Sequence, residues 1–193
     1  MEIQRIEPPA SLKHIVPKIE HLSAIGDSGL LNTPLFALFC SVKCPASIIL
    51  KTYDLAQTLR DKKIGIISGF HSPVEKEVLV TLLHGDSTIV ICPARGIQNM
   101  RVPADWKKPL EQQRLLIVSP FAENQPRATQ EMATIRNQLV AALARQVFVA
   151  YAEPGGKTET FARMLIAAGK PVMTFEAKET ENLLIVGAKP LSL

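Results

Sequence analysis

The stretch that decides the fold is 134-TIRNQLVAALARQVFVAYAEPGGKTETFARMLIAAGKPVMTF-175. It opens on a helical pattern, with Met132 just before it and Ile135, Leu139 and Leu143 on one stripe. Val147 to Tyr151 (VFVAY) follows, apolar throughout and of strand length. Pro154, Gly155 and Gly156 then turn the chain into a second helix over about 157–168, capped by Gly169. Val172 to Phe175 is the next strand. A strand without polar alternation is buried on both faces, which is how parallel strands covered by helices read.

Working toward the N-terminus, the same unit recurs. Leu35 to Val42 (LFALFCSV), Ile64 to Ser68 (IGIIS), Thr88 to Cys92 (TIVIC) and Leu115 to Val118 (LLIV) read as strands. Pro45 and Pro73 open helices, where a missing N–H costs nothing. Residues 93–113 predict a loop and a short helix near 104–112. Toward the C-terminus, Leu183 to Val186 predicts a further strand. Strands alternating with helices of about 10–18 residues predict an α/β fold, a Rossmann-like doubly wound and mostly parallel sheet of six to seven strands with helices on both faces. Residues 1–33, punctuated by Pro8, Pro9, Pro17, Gly26 and Gly29, predict a short helical lead-in and a turn; residues 34–193 form the main domain.

The 193 residues are 47% hydrophobic and 21% charged, which suits a folded domain and excludes a disordered chain. No apolar run reaches the length of a membrane span, and the charged N-terminus lacks the apolar core of a signal peptide, so a cytoplasmic protein is expected. Cys40, Cys44 and Cys92 are unevenly spaced, and the four His are scattered; neither a metal site nor a disulfide framework is expected. The net charge of +4 permits a polyanionic partner. Residues 101–150 hold seven Lys or Arg against four acids. With aromatics at only 5%, a grip on nucleic acid depends on phosphate contacts more than on base stacking.

Ligands of such sheets bind at the carboxyl ends of the strands, so the strand-to-helix turns carry the candidate chemistry. Ser41 and Lys43 offer a hydroxyl and a charge after the first long strand. Ser68 and Gly69 lead to a helix start where Ser72 is a candidate N-cap with Glu75 in the first turn. Arg136 and Asn137 lie in an otherwise apolar helix. Gly155, Gly156, Lys157 and Thr160 form an anion cradle at a helix start. That turn is no P-loop, because Tyr151 stands where the first glycine of G-x-x-x-x-G-K-[ST] belongs. No nucleophile–base pair is evident, and His71 has no partner in sequence.

Taken together, about residues 20–176 resemble the DNA-processing protein A (DprA/Smf) family, of the superfamily that also holds the LOG proteins. Arg136-Asn137 match its R-N pair, Glu153 its strand-end Glu, Gly156 and Thr160 its S-G-S-L-x-T-A turn, and Gly169-Lys170 its G-R. Ser68-Gly69 match the start of S-G-x-A-R-G-I-D, with Val74-Glu75 for I-D, and Ile25-Gly26-Asp27 with Leu30-Leu31 resemble the G-N-x-x-L-L lead-in. The family's V-G-S-R turn is replaced by Phe39-Cys40-Ser41-Val42. The resemblance implies a bacterial binding protein, not an enzyme, that takes single-stranded DNA or a nucleotide-like phosphate ligand without a cofactor. It also implies a role in recombination or transformation beside a RecA-type recombinase, and a homodimer. A LOG-type nucleotide phosphoribohydrolase or a nucleotide-sensing domain is the alternative; there Ala162 stands in the place of the hydrolase Glu, with Glu159 nearby.

Overall fold

The apolar runs pair as a continuous sheet in the computed structural model, which describes residues 2–8, 19–98, 100–122, 125 and 127–192. In chain order the elements are β1 (Gln4–Ile6), β2 (Leu22–Gly26), a 3-10 turn at Ser28–Asn32, β3 (Leu35–Cys40), α1 (Ala46–Asp61), β4 (Gly65–Ser68), α2 (Pro73–Leu83), β5 (Ile89–Ile91) and α3 (Ala104–Glu111). There follow β6 (Leu115–Ser119), α4 (Gln130–Leu143), β7 (Gln146–Tyr151), α5 (Lys157–Ala167), β8 (Val172–Thr174), a 3-10 turn at Lys178–Thr180, α6 (Glu181–Ile185) and β9 (Lys189–Pro190).

The strands lie in the order β1-β2-β6-β5-β4-β3-β7-β8-β9. Neighbours from β6 across to β9 are parallel, while β1 and β2 pair antiparallel at one edge. The doubly wound, mostly parallel sheet is therefore present, with nine strands among the described residues instead of six or seven. The surplus comes from the lead-in. Its described parts form β1 and β2 and no helix, because β2 closes against β6, nearly a hundred residues away in sequence (Ala24 opposite Val118). The rest of the expected lead-in helix, residues 9–18, lies outside the described residues.

The strand expected at Leu183 to Val186 is also corrected: this segment is α6. Leu183 is fully buried while Ile185 is 77% exposed, a short apolar run that serves one helical stripe. The last parallel strand is β9 instead, a few residues further on.

Side chains of each strand alternate between two cores. Ala37, Phe39, Val147 and Val149 pack under Leu139 of α4 and Ala162 and Leu165 of α5. Phe36, Leu38, Phe148 and Ala150 pack under Ile48, Leu55 and Leu59 of α1 and Val74, Val78 and Leu82 of α2. Truncating a fully buried leucine such as Leu38 or Leu59 costs roughly 2–5 kcal/mol. Among the described residues, no helix is long and apolar enough to cross a membrane.

This topology fixes where a ligand can enter. From β3 the chain steps outward to β4, β5 and β6; after β6, α4 carries it back to β7, on the other side of β3. The crevice at the carboxyl ends of β3 and β7 is thus a topological switch point.

Candidate functional site

At the switch point two loops are tied together. The Ser41 N–H donates to the Tyr151 carbonyl at 2.9 Å. The Glu153 N–H donates to Ser41 Oγ at 3.1 Å. A register shift between Phe39 and Cys40, which sets Cys40 opposite Tyr151, lets both loops leave the sheet at one level. Lys43 is exposed in the loop between β3 and α1.

The glycine turn stands on the other wall. Gly155 has φ +70°, the left-handed region where a side chain is strained, and a Cβ there would meet nothing within 4 Å. The turn is therefore open above Gly155. The Gly156 N–H donates to the Glu153 carbonyl at 2.8 Å. No side chain caps α5, whose first residue is the exposed Lys157. Thr160 is exposed and its hydroxyl donates back to the Gly156 carbonyl at 3.1 Å, so it orders the helix start.

Under the turn sits Glu159, 5% exposed. Its Oε2 accepts from the Gly155 N–H at 2.9 Å and from Asn182 Nδ2 at 2.8 Å. Its Oε1 accepts from Arg163 Nε at 2.9 Å and Nη2 at 2.6 Å. The Asn182 and Arg163 hydrogen bonds, with that of Gly155, hold the carboxyl below the usual glutamate range. A carboxylate so occupied keeps no proton to give and has little lone-pair capacity left, which makes it a poor acid–base group for glycosidic cleavage.

The turn after β4 has the same construction, more deeply buried. Ser68 is fully buried, donating to the Leu38 carbonyl at 2.8 Å and accepting from the Phe70 N–H at 3.1 Å. Ser72 and Glu75 form a capping box at the start of α2. Glu75 reaches further: Oε1 accepts from the Cys40 N–H at 2.9 Å and Oε2 from the His71 N–H at 2.7 Å. One carboxylate thus ties the end of β3 to the end of β4. Burial pushes Glu75 above the usual glutamate range, opposed by the His71 and Cys40 N–H groups and by the Arg136 charge.

Arg136 is 6% exposed. Its Nη1 donates to the Cys92 carbonyl at 3.1 Å and its Nε to Asn137 Oδ1 at 2.8 Å. A Cβ on Gly69 would overlap the guanidinium, so glycine is what lets Arg136 lie flat beneath the ends of β4 and β5. Burial lowers the Arg136 pKa, and the Glu75 charge opposes this.

The predicted residues therefore fall into two groups. Ser41, Lys43, Gly155, Gly156 and Lys157 gather at the β3–β7 crevice, with Thr160 one turn into α5. Ser68, Gly69, Arg136 and Asn137 gather behind the ends of β4 and β5, with Ser68 Oγ, Arg136 Nε and Nη1 and Asn137 Oδ1 bonded to protein. The sequence reading missed the reach of Glu75 and Glu159. Ser72-x-x-Glu75 signals the local cap, but nothing local signals the bond to Cys40, 35 residues upstream, or that from Asn182 to Glu159. Among the described residues, no group of three or more His, Cys, Asp or Glu is placed to hold a metal ion.

A family model described as DNA recombination-mediator protein A matches residues 3–189. No curated protein sequence matches the chain. Among solved structures, DNA processing protein A (DprA) from Streptococcus pneumoniae superposes with a TM-score of 0.80 at 18% identity, covering 98% of this chain and 71% of that one. DNA processing protein A from Helicobacter pylori, described for its unique single-stranded DNA binding mode, gives a TM-score of 0.79 at 22% identity, with 98% and 90% covered. The molybdenum cofactor carrier protein of Chlamydomonas reinhardtii is more distant, with a TM-score of 0.55 at 11% identity and 83% and 90% covered. At these identities the structural likeness is one of fold.

Proposed function

The chain belongs to the DNA recombination-mediator protein A family, and we propose that it binds single-stranded DNA through its phosphates at the crevice between β3 and β7. The observation that carries this reading is the family match over residues 3–189 on a fold whose switch point is open above Gly155. The relative from Helicobacter pylori, described as binding single-stranded DNA, supports the same ligand class.

In this reading Lys43 and Lys157, both exposed, supply charge, and Ser41 and the Gly155–Gly156 turn let a backbone phosphate approach closely. Ser68, Gly69, Arg136, Asn137 and Thr160 position the loops. Ser68 and Arg136 are buried and Gly69 and Asn137 half-buried, so they act by holding the strand ends in place, while Thr160 orders α5. The binding unit is residues 34–193, with residues 1–33 as a lead-in. A RecA-type recombinase as partner, a homodimer and residence in the cytoplasm belong to the same proposal.

Binding measured over a range of salt with single-stranded DNA, double-stranded DNA and mononucleotides tests it. Single-stranded DNA is expected to bind best, with little base preference and with log K falling by about 0.7 per phosphate contact for each tenfold rise in salt. Affinity independent of salt would overturn the reading.

A further inference from the structure

Two of the helix starts at this strand edge, those of α2 and α5, already hold a carboxylate, and in each case it belongs to the chain, whereas the start of α1 carries none. In a phosphate-binding turn, backbone N–H groups at a helix start point at the ligand. Here the Gly155 N–H points at Glu159, and the Cys40 and His71 N–H groups point at Glu75. A capping box explains a glutamate at the third helical position that reaches back to the turn. It does not explain the donors that come to Glu159 from elsewhere: the Arg163 guanidinium one turn on and the Asn182 amide from α6. Guanidinium, amide and backbone N–H together make an anion cradle, and its occupant is a side chain.

We propose that Glu159 is a specificity-determining residue that keeps terminal phosphates out of the start of α5, so that the crevice takes a phosphodiester polymer in preference to mononucleotides. The proposal rests on the reading of this edge as a single-stranded DNA site. Charge decides it. A terminal phosphate carries about −1.5 to −2 at neutral pH and needs a concentrated set of donors. Those donors are spent, and the carboxylate that spends them repels a dianion. Each phosphodiester carries a single charge, and a strand presents many of them in a row. It therefore gains its affinity from exposed lysines such as Lys43 and Lys157, spread along the crevice, without entering the α5 cradle. Arg163, a further cation at this helix start, is engaged by Glu159.

The test titrates the full chain with deoxyadenosine monophosphate, inorganic phosphate and an oligothymidine, for wild type, Glu159→Ala and Glu159→Gln. The wild type is expected to bind the oligonucleotide and to show no binding of the mononucleotide or of phosphate at millimolar concentration. Glu159→Ala empties the cradle and is expected to gain at least about tenfold in affinity for phosphate, equivalent to about 1.4 kcal/mol. Glu159→Gln keeps an oxygen on the Gly155 N–H and is expected to gain far less. Should Glu159→Ala lose its fold in anion-free buffer, recovery of the fold on adding phosphate or acetate supports the proposal. Micromolar binding of the mononucleotide by wild type overturns it, as does a folded Glu159→Ala with no gain for phosphate. Loss of oligonucleotide binding by wild type is a separate result, which removes the DNA reading and leaves the nucleotide arm readable.

Discussion

The starts of α2 and α5 use one device in two settings. Each places a glutamate at the third helical position and turns its carboxylate back over the preceding loop. At α2 the carboxylate is buried and bonded to backbone N–H groups, with Arg136 as a more distant charge. At α5 it meets an arginine and an amide near the surface. The first setting raises the acid's pKa and the second lowers it. Local sequence is thus a poor guide to the direction in which a capping carboxylate's pKa moves; burial and the partners drawn from other elements decide it. The comparison also separates structure from binding. The α2 start is a sealed joint between two strands, and the α5 start borders the open side of the crevice.

The largest effect is expected at the sealed joint. Glu75→Ala leaves the Cys40 and His71 N–H groups without a partner and costs about 3 kcal/mol, read as a lower denaturation midpoint at unchanged slope. Gly69→Ala comes next: the new methyl group displaces the Arg136 guanidinium, at about 2 kcal/mol. Single-stranded DNA binding by folded Gly69→Ala then shows whether Arg136 acts by positioning the strand ends.

The pH dependence sharpens the contrast and works in opposite directions. Glu75 has a folded pKa above its unfolded one, so its contribution is complete below the ordinary glutamate pKa and is lost as pH rises through the raised value. Glu159 has a folded pKa below its unfolded one, so its contribution is present above the ordinary value and is lost as pH falls through the lowered one. Denaturation midpoints followed across pH should show the upper-side loss weakened in Glu75→Gln and the acid-side loss weakened in Glu159→Gln. Parallel profiles for the two variants would erase the distinction.

Much of this architecture is legible in the sequence, for a physical reason. Strands β3 to β8 are short, continuous apolar runs, and the helices between them carry their own start and stop signals, such as Pro73 behind Ser72 and Gly169 after α5. What escapes is whatever depends on a distant partner. β2 is a strand because β6 lies beside it, and Leu183 to Ile185 form a helix because only one stripe of that run meets the core. At the site, Ser41 and the glycine turn are legible as strand-end chemistry. The inward direction of Arg136 is not, because it depends on the missing side chain at Gly69, 67 residues upstream.

The central claim, that phosphates of single-stranded DNA are held at the β3–β7 crevice, is tested most directly by the salt dependence of oligothymidine affinity in wild type and in the Lys43→Ala, Lys157→Ala double variant. Two lost phosphate contacts should make the slope of log K against log salt shallower by about 1.4, with affinity reduced for every base composition alike. A double variant with the slope and affinity of wild type would contradict the claim and place the DNA elsewhere on the molecule.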